Sequence, residues 1–105
     1  MNRMSVNTLN ERLKTTHSLH LIDVRETWEF EIGHLPNSIL APLSTLPRFL
    51  ADADKELEYV FICHHGIRSA RATAFALAND FEHVFNLTGG VAAWSASVDP
   101  QFPVY

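Results

Sequence analysis

At 105 residues, with 47% hydrophobic and 19% charged side chains, the chain has the make-up of one compact globular domain over residues 1–105, with no room for a separate substrate domain. Its formal charge of −4 argues against a nucleic-acid partner, which needs a basic face. No apolar run reaches the roughly twenty residues of a membrane span, and MNRMSVNTLNERL lacks the apolar stretch of a signal peptide, so no membrane partner and a cytoplasmic location are expected.

In chain order, Ser5 is placed to cap a first helix whose apolar positions Val6, Leu9 and Leu13 share one face and which ends near Thr15. His20 to Val24 and Tyr59 to Cys63 are short apolar runs of the kind that form buried parallel strands; His83 to Leu87 is a third strand, and Ser38 to Leu40 a weaker one. Between them, Thr27 to Glu31 is predicted as a short helix capped by Thr27. Ser44 to Leu50 is predicted as another, with Pro47 tolerated in its first turn. Ala51 to Glu58 is a polar connection. The longest helix is predicted from about Ser69 to Ala78, its alanines allowing close approach to a sheet, and the tail VDPQFPVY carries two prolines that end regular structure. Alternation of strands and helices predicts an α/β fold.

The chemistry is concentrated in YVFICHHGIRSAR, Tyr59 to Arg71, where an apolar strand ends at the chain's single cysteine and a short loop leads into a helix. One cysteine cannot form an internal disulfide, which suits a reducing compartment and leaves the thiol free. A tight strand-to-helix turn aims successive backbone N–H groups inward, and the helix dipole adds positive potential at the same place. Gly66 permits the positive φ such a turn demands, Arg68 supplies a permanent charge, and Ser69 either caps the helix or donates to sulfur. In that setting the Cys63 thiol is expected to ionise more readily and to act as a nucleophile. Four residues, His64, His65, Gly66 and Ile67, separate Cys63 from Arg68. Protein tyrosine phosphatases use a loop one residue longer, and the smaller ring suits a single sulfur atom better than a tetrahedral phosphate.

Three ordered motifs resemble the rhodanese family, over roughly Ser5 to Tyr105. LIDVRETWEFEIGHLPNSI, Leu21 to Ile39, resembles its first signature; CHHGIRS, Cys63 to Ser69, is similar to its active-site loop; NLTGGVAAW, Asn86 to Trp94, resembles its C-terminal signature. VDP and the final Pro-x-Tyr look like bacterial single-domain members. The resemblance implies a three-layer α/β/α domain with a mostly parallel central sheet of about five strands, acting as a thiosulfate sulfurtransferase. In that scheme Cys63 takes sulfane sulfur from a small anionic donor, sulfite departs, and the persulfide rests among the amides of residues 64 to 69. Sulfur then passes to cyanide, a small thiol or a protein acceptor. Arg68 would orient the donor, with Gly66, His64, His65, Ile67 and Ser69 completing the substrate site; no metal and no organic cofactor is implied. Asn37 and Asp80 stand where the family commonly has glycine, and both residue types tolerate a left-handed backbone. A persulfide relay serving a partner protein is the alternative, and a phosphatase or arsenate reductase on the same fold a further one.

Other residues have simpler readings. Asp23 and Arg25 are expected to pair and brace neighbouring loops, with His34 and Pro36 as a loop anchor. His64 and His65 either tune the nucleophile or face solvent. Cys63, His64 and His65 are all zinc-ligand types, but adjacent residues rarely converge on one tetrahedral ion. Trp28, Phe30, Phe75 and Trp94 are expected in the core. Arg71 either adds potential at the mouth or is solvated.

Overall fold

The computed structural model describes residues 2–15 and 18–104. Five parallel strands, β1 (Arg3–Met4), β2 (Leu19–Asp23), β3 (Ile39–Leu40), β4 (Glu58–Ile62) and β5 (Val84–Leu87), form one sheet in the order β1-β5-β4-β2-β3. The helices are α1 (Val6–Thr15), α2 (Thr27–Ile32), α3 (Leu46–Ala51), α4 (Ile67–Ala78) and α5 (Gly90–Ser97), with a 3₁₀ turn at Leu43–Thr45.

The period of two in β4 separates the core into two layers. Val60 and Ile62 join Leu9 of α1 and Val91 and Trp94 of α5 on one face, while Tyr59, Phe61 and Cys63 join Leu46 and Leu50 of α3 and Ala72 and Ala76 of α4 on the other. Each fully buried Leu, Val or Phe in these layers contributes roughly 1.5–3 kcal/mol relative to exposure. Helices α4 and α5 follow adjacent strands yet cover opposite faces of the sheet. In open α/β sheets this topology leaves a crevice at the carboxyl ends of the strands, where ligands bind.

The expected strands and helices are present with small shifts. Ser5 does cap α1, its Oγ accepting from the Thr8 N–H at 3.1 Å. Asn37 and Asp80 do adopt the left-handed conformation, with φ of 66° and 71°. Four expectations are corrected. The cap of α2 is Glu26 rather than Thr27, because Glu26 and Glu29 form a reciprocal capping box. Helix α4 begins at Ile67 with Gly66 as its left-handed cap, so Ser69 lies inside the first turn and does not cap it. The Ser44 to Leu50 segment divides into the 3₁₀ turn and α3, with Pro47 in the first turn of α3. Of the four aromatics expected in the core only Trp94 is buried: Trp28 is 55% and Phe75 39% exposed, and half-buried Phe30 stacks on His34. Both Trp28 and Phe75 lie on helix faces turned from the sheet, where the smaller Ala72 and Ala76 fill the inner positions of α4.

Two elements had no bounds predicted for them, β1 and α5. The first is only two residues long, and the second starts at a Gly-Gly pair, a poor helix former by propensity. Tyr105, the last residue of the Pro-x-Tyr ending, lies outside the described residues. No helix among the described residues is long and apolar enough to cross a membrane.

Candidate active site

Cys63 is the first residue past β4. The alternation of that strand turns its side chain toward α4, where it is 1% exposed. Burial alone would mark an inert core thiol, but the polar groups around it are organised on the sulfur. Gly66 and Ser69 donate their N–H groups to Sγ at 3.0 and 3.3 Å, and the Ser69 hydroxyl lies 3.2 Å away. The turn that achieves this needs Gly66 at φ 96°, and a Cβ there would sit 3.1 Å from the Gly89 nitrogen. The sulfur therefore faces two backbone donors at the amino end of a twelve-residue helix.

A second helix end fixes the other side of the loop. The first free amides of α5, Val91 and Ala92, donate to the carbonyls of Cys63 and His64 at 2.9 and 3.0 Å. Those carbonyl dipoles are thus held on α5. Gly90 is what lets α5 come so near, since a Cβ there would fall 2.2 Å from the Cys63 oxygen and 2.4 Å from that of His64. The Gly-Gly pair of the third motif is a clamp on the cysteine loop.

Asn86 adds a constraint that the sequence analysis missed. It is paired with Phe61 of β4, so its side chain emerges on the same face as Cys63, and it is buried. Its Nδ2 donates to the Gly66 carbonyl at 3.2 Å, which turns Oδ1 toward Ser69, whose hydroxyl donates to it. A serine hydroxyl has one proton. With that proton on Asn86, Ser69 offers a lone pair to the Cys63 thiol, and its hydroxyl has to turn before it can donate to a charged sulfur. The available signal was a lone polar residue within the apolar strand Val84 to Leu87.

The Arg68 side chain does not stand as an open charge. Its Nη1 donates to Oε2 of Glu29 at 2.9 Å, and the Glu29 side chain is only 5% exposed. The same Oε2 accepts the Glu26 N–H at 3.2 Å, so Glu29 both caps α2 and ties it to α4. Glu29 was also missed; the Glu-x-x-Glu spacing of a capping box was its signal, obscured by the choice of Thr27 as cap. Burial pushes the Glu29 carboxyl up, but the Arg68 bond, the Glu26 amide and the charges of Arg68 and Arg25 together hold it below the usual carboxylate range. A depressed carboxyl stabilises the fold above the unfolded value of about 4.3 and loses that contribution as pH falls through the folded value. The stability difference between the native chain and Glu29→Gln should therefore shrink in urea unfolding as pH drops from neutrality to below about 4.

Asp23 and Arg25 pair as expected. The guanidinium meets the carboxylate through two nitrogens, Nε to Oδ1 at 2.9 Å and Nη2 to Oδ2 at 2.8 Å, and both side chains are buried. Nη2 also reaches the Gly33 carbonyl at 2.6 Å, which braces the loop after α2. His34 anchors that loop through Nδ1 and the Phe30 carbonyl, 2.8 Å apart. His64 is half-buried and His65 exposed, their rings edge to face at 4.1 Å. Burial, then the neighbouring His65, pushes the His64 imidazole below its ordinary value. Ile67 is 69% exposed, and Arg71 is on the solvent side of α4. Among the described residues no three His, Cys, Asp or Glu side chains are grouped to hold a metal ion.

Residues 5–97 match the rhodanese-like domain family. The chain belongs to that family. It is 34% identical over 98 residues to the "Putative sulfurtransferase YtwF" of Bacillus subtilis, covering 93% of this chain and 94% of that one. It is 35% identical over 96 residues to the "Adenylyltransferase and sulfurtransferase uba4" of Ogataea parapolymorpha, covering 90% of this chain but only a quarter (25%) of that longer protein. Among solved structures, a rhodanese-like domain protein from Staphylococcus aureus superposes with a TM-score of 0.86 at 28% identity, covering 100% of this chain and 99% of that one.

Proposed function

We propose that this chain is a sulfurtransferase in which Cys63 carries the transferred sulfur as a persulfide. The observation that carries this reading is the Cys63 sulfur facing the Gly66 and Ser69 amides at the head of α4. In the first step the Cys63 thiolate attacks the outer sulfur of a donor such as thiosulfate. The donor's S–S bond breaks, its electron pair leaves on sulfite, and the terminal sulfur bonded to Sγ keeps one negative charge. The amide donors and the helix end stabilise that charge without reorganising. An acceptor, cyanide, a small thiol or a protein thiol, then attacks the terminal sulfur and restores the Cys63 thiolate. The relatives YtwF and uba4, both named as sulfurtransferases, support the reaction class.

The test is to incubate the protein with thiosulfate, remove the excess and weigh it intact. A species heavier by one sulfur atom, lost on adding cyanide, is the expected result; an unchanged mass overturns the reading.

Arg68→Ala should reduce loading from thiosulfate by about tenfold or more, the scale of a lost charged hydrogen bond. Because it leaves the buried Glu29 carboxylate without its guanidinium, it should also lower stability by about 1–3 kcal/mol. Initial rates of loading and a urea curve check the two effects separately. A second reading, a relay that hands persulfide to a partner protein, is favoured by the exposure of Trp28 and Ile67, which precede Glu29 and Arg68. Under it, transfer to a protein thiol outpaces transfer to cyanide.

A further inference from the structure

The outer face of α4 has the wrong composition for a surface that meets only water. A helix lying on a sheet normally turns charged and neutral polar residues to solvent and keeps apolar ones inside. In α4 the order is reversed: the polar Ser69 and Thr73 are buried, while Ile67, Phe75 and Leu77 are 69%, 39% and 36% exposed. The inner pair has partners, since Ser69 is bonded to Cys63 and Asn86 and the Thr73 hydroxyl donates to the Ser69 carbonyl at 2.8 Å. Nothing comparable holds the outer residues. Single exposed apolar side chains are ordinary, but α4 has no lysine, acid or amide side chain anywhere, and its only charged residues are Arg68 and Arg71.

Ile67, Arg71 and Phe75, spaced four apart, form one ridge along this face, about 12 Å long at 1.5 Å per residue. The ridge starts beside Gly66 of the cysteine loop. It ends at a cavity of about 270 Å³ between α3 and α4, walled by Pro47, Leu50, Phe75, Phe81 and Lys55. Arg68 is tied to Glu29, whereas Arg71 is exposed and, among the described residues, has no carboxylate within ion-pair distance. Lys55 is held loosely, 4.0 Å from Asp80. Helices α3 and α4 together carry three arginines and no acid, in a chain whose formal charge is −4. Aromatic residues with arginine, and neither lysine nor acid, are the make-up of a protein interface.

We propose that the Ile67–Arg71–Phe75 ridge docks an amphipathic helix of an acidic partner protein. The partner's apolar residues lie along the ridge and set one side chain in the cavity beside Phe75, and its flanking carboxylates meet Arg71 and Lys55. A ridge of residues four apart is the shape that the groove of another helix receives. Charge decides among the possible occupants. A second copy paired about a two-fold axis on this ridge would set Arg71 against Arg71, with no acid on either helix to answer it. An anionic lipid surface attracts clusters of roughly four to eight basic residues, and the ridge and its cavity offer Arg71 and Lys55 alone. The surface is separate from the sulfur-transfer reading and stands or falls by binding.

Fluorescence anisotropy tests it with three labelled helical peptides of equal length. One carries a leucine stripe flanked by glutamates, one the same stripe flanked by lysines, and one the glutamate peptide's residues in an order that forms no stripe. The native chain should bind the first at least about tenfold more tightly than either of the others. Arg71→Glu should weaken that binding by about tenfold and favour the lysine peptide instead. Phe75→Ser should weaken it by about fivefold or more. Both side chains are exposed, so a urea curve should show the fold retained; should Phe75→Ser lose stability, Arg71→Glu still decides. No binding, no preference among the peptides, or binding that neither variant changes overturns the proposal. Tighter association with phosphatidylserine vesicles than with the glutamate peptide overturns it in favour of a lipid surface. A dimer in sedimentation velocity that Phe75→Ser dissociates overturns it in favour of a contact between copies.

Discussion

A Cys63→Ser chain should take up no sulfur from any donor and yet remain folded. Serine preserves the shape, and its oxygen can still accept from Gly66 and Ser69, the two amides now aimed at Sγ. The stability cost should stay within about 1–3 kcal/mol, the range for altering a buried polar group that keeps partners. Reactivity is another matter. A hydroxyl is far less ionised than a thiol at neutral pH, and oxygen is a poor nucleophile toward sulfane sulfur. Removing a covalent nucleophile costs roughly 10³- to 10⁶-fold in enzymes that have been measured this way. Intact mass after incubation with donor, beside a urea unfolding curve, separates the chemical loss from any structural one. Retained loading would place the reactive group elsewhere, although this is the only cysteine in the chain.

The second large effect belongs to a residue that never touches sulfur. In Gly90→Ala the new methyl would meet the Cys63 carbonyl oxygen at 2.2 Å and that of His64 at 2.4 Å, both backbone atoms. The residue also has a φ of 60°, which alanine adopts only at a cost. Overpacking and backbone strain together should lower stability by about 3 kcal/mol or more, a large part of the 5–15 kcal/mol typical of a domain. Relief would come by moving α5 away, which breaks the Val91 and Ala92 bonds to the loop carbonyls. The Cys63–His64 and His64–His65 peptide planes, which lead into the Gly66 turn, would then lose their tether to α5. Sulfur loading should fall by at least about tenfold even under conditions where circular dichroism shows the chain folded. Unchanged loading in a folded Gly90→Ala chain would remove the clamp from the account.

Much of the architecture was legible because its signals are local. The apolar runs at β2 and β4 read as buried parallel strands, Ser5 as a cap, and the Cys63 to Ser69 segment as a strand-loop-helix turn, since each depends on residues close in the chain. Asn37 and Asp80 were readable for the same reason: their side chains tolerate the φ they adopt. What escaped depends on contacts between distant segments. Glu29 matters because it meets Arg68, thirty-nine residues on, and Asn86 because it meets Gly66 and Ser69 across the sheet. Periodicity does not encode such meetings. Residue type misled outright for Trp28 and Phe75, aromatics assigned inward because they lie on helices that cover the sheet, whereas the sheet-facing positions of α4 went to Ala72 and Ala76. Helix α5 was hidden by its glycines, whose low propensity is outweighed by the tertiary bonds that its first turn makes.

The ligands of the sulfur come from residues 66 and 69 and are kept in place by residues 86, 91 and 92. On a ribosome the thiol therefore emerges well before the groups that enclose it. Until residues 86 to 92 have been made and have docked, Cys63 stands bare to peroxide and to other thiols. Slow translation through that stretch would raise the fraction of molecules born already oxidised, and a chain shortened before residue 91 would stay vulnerable for good.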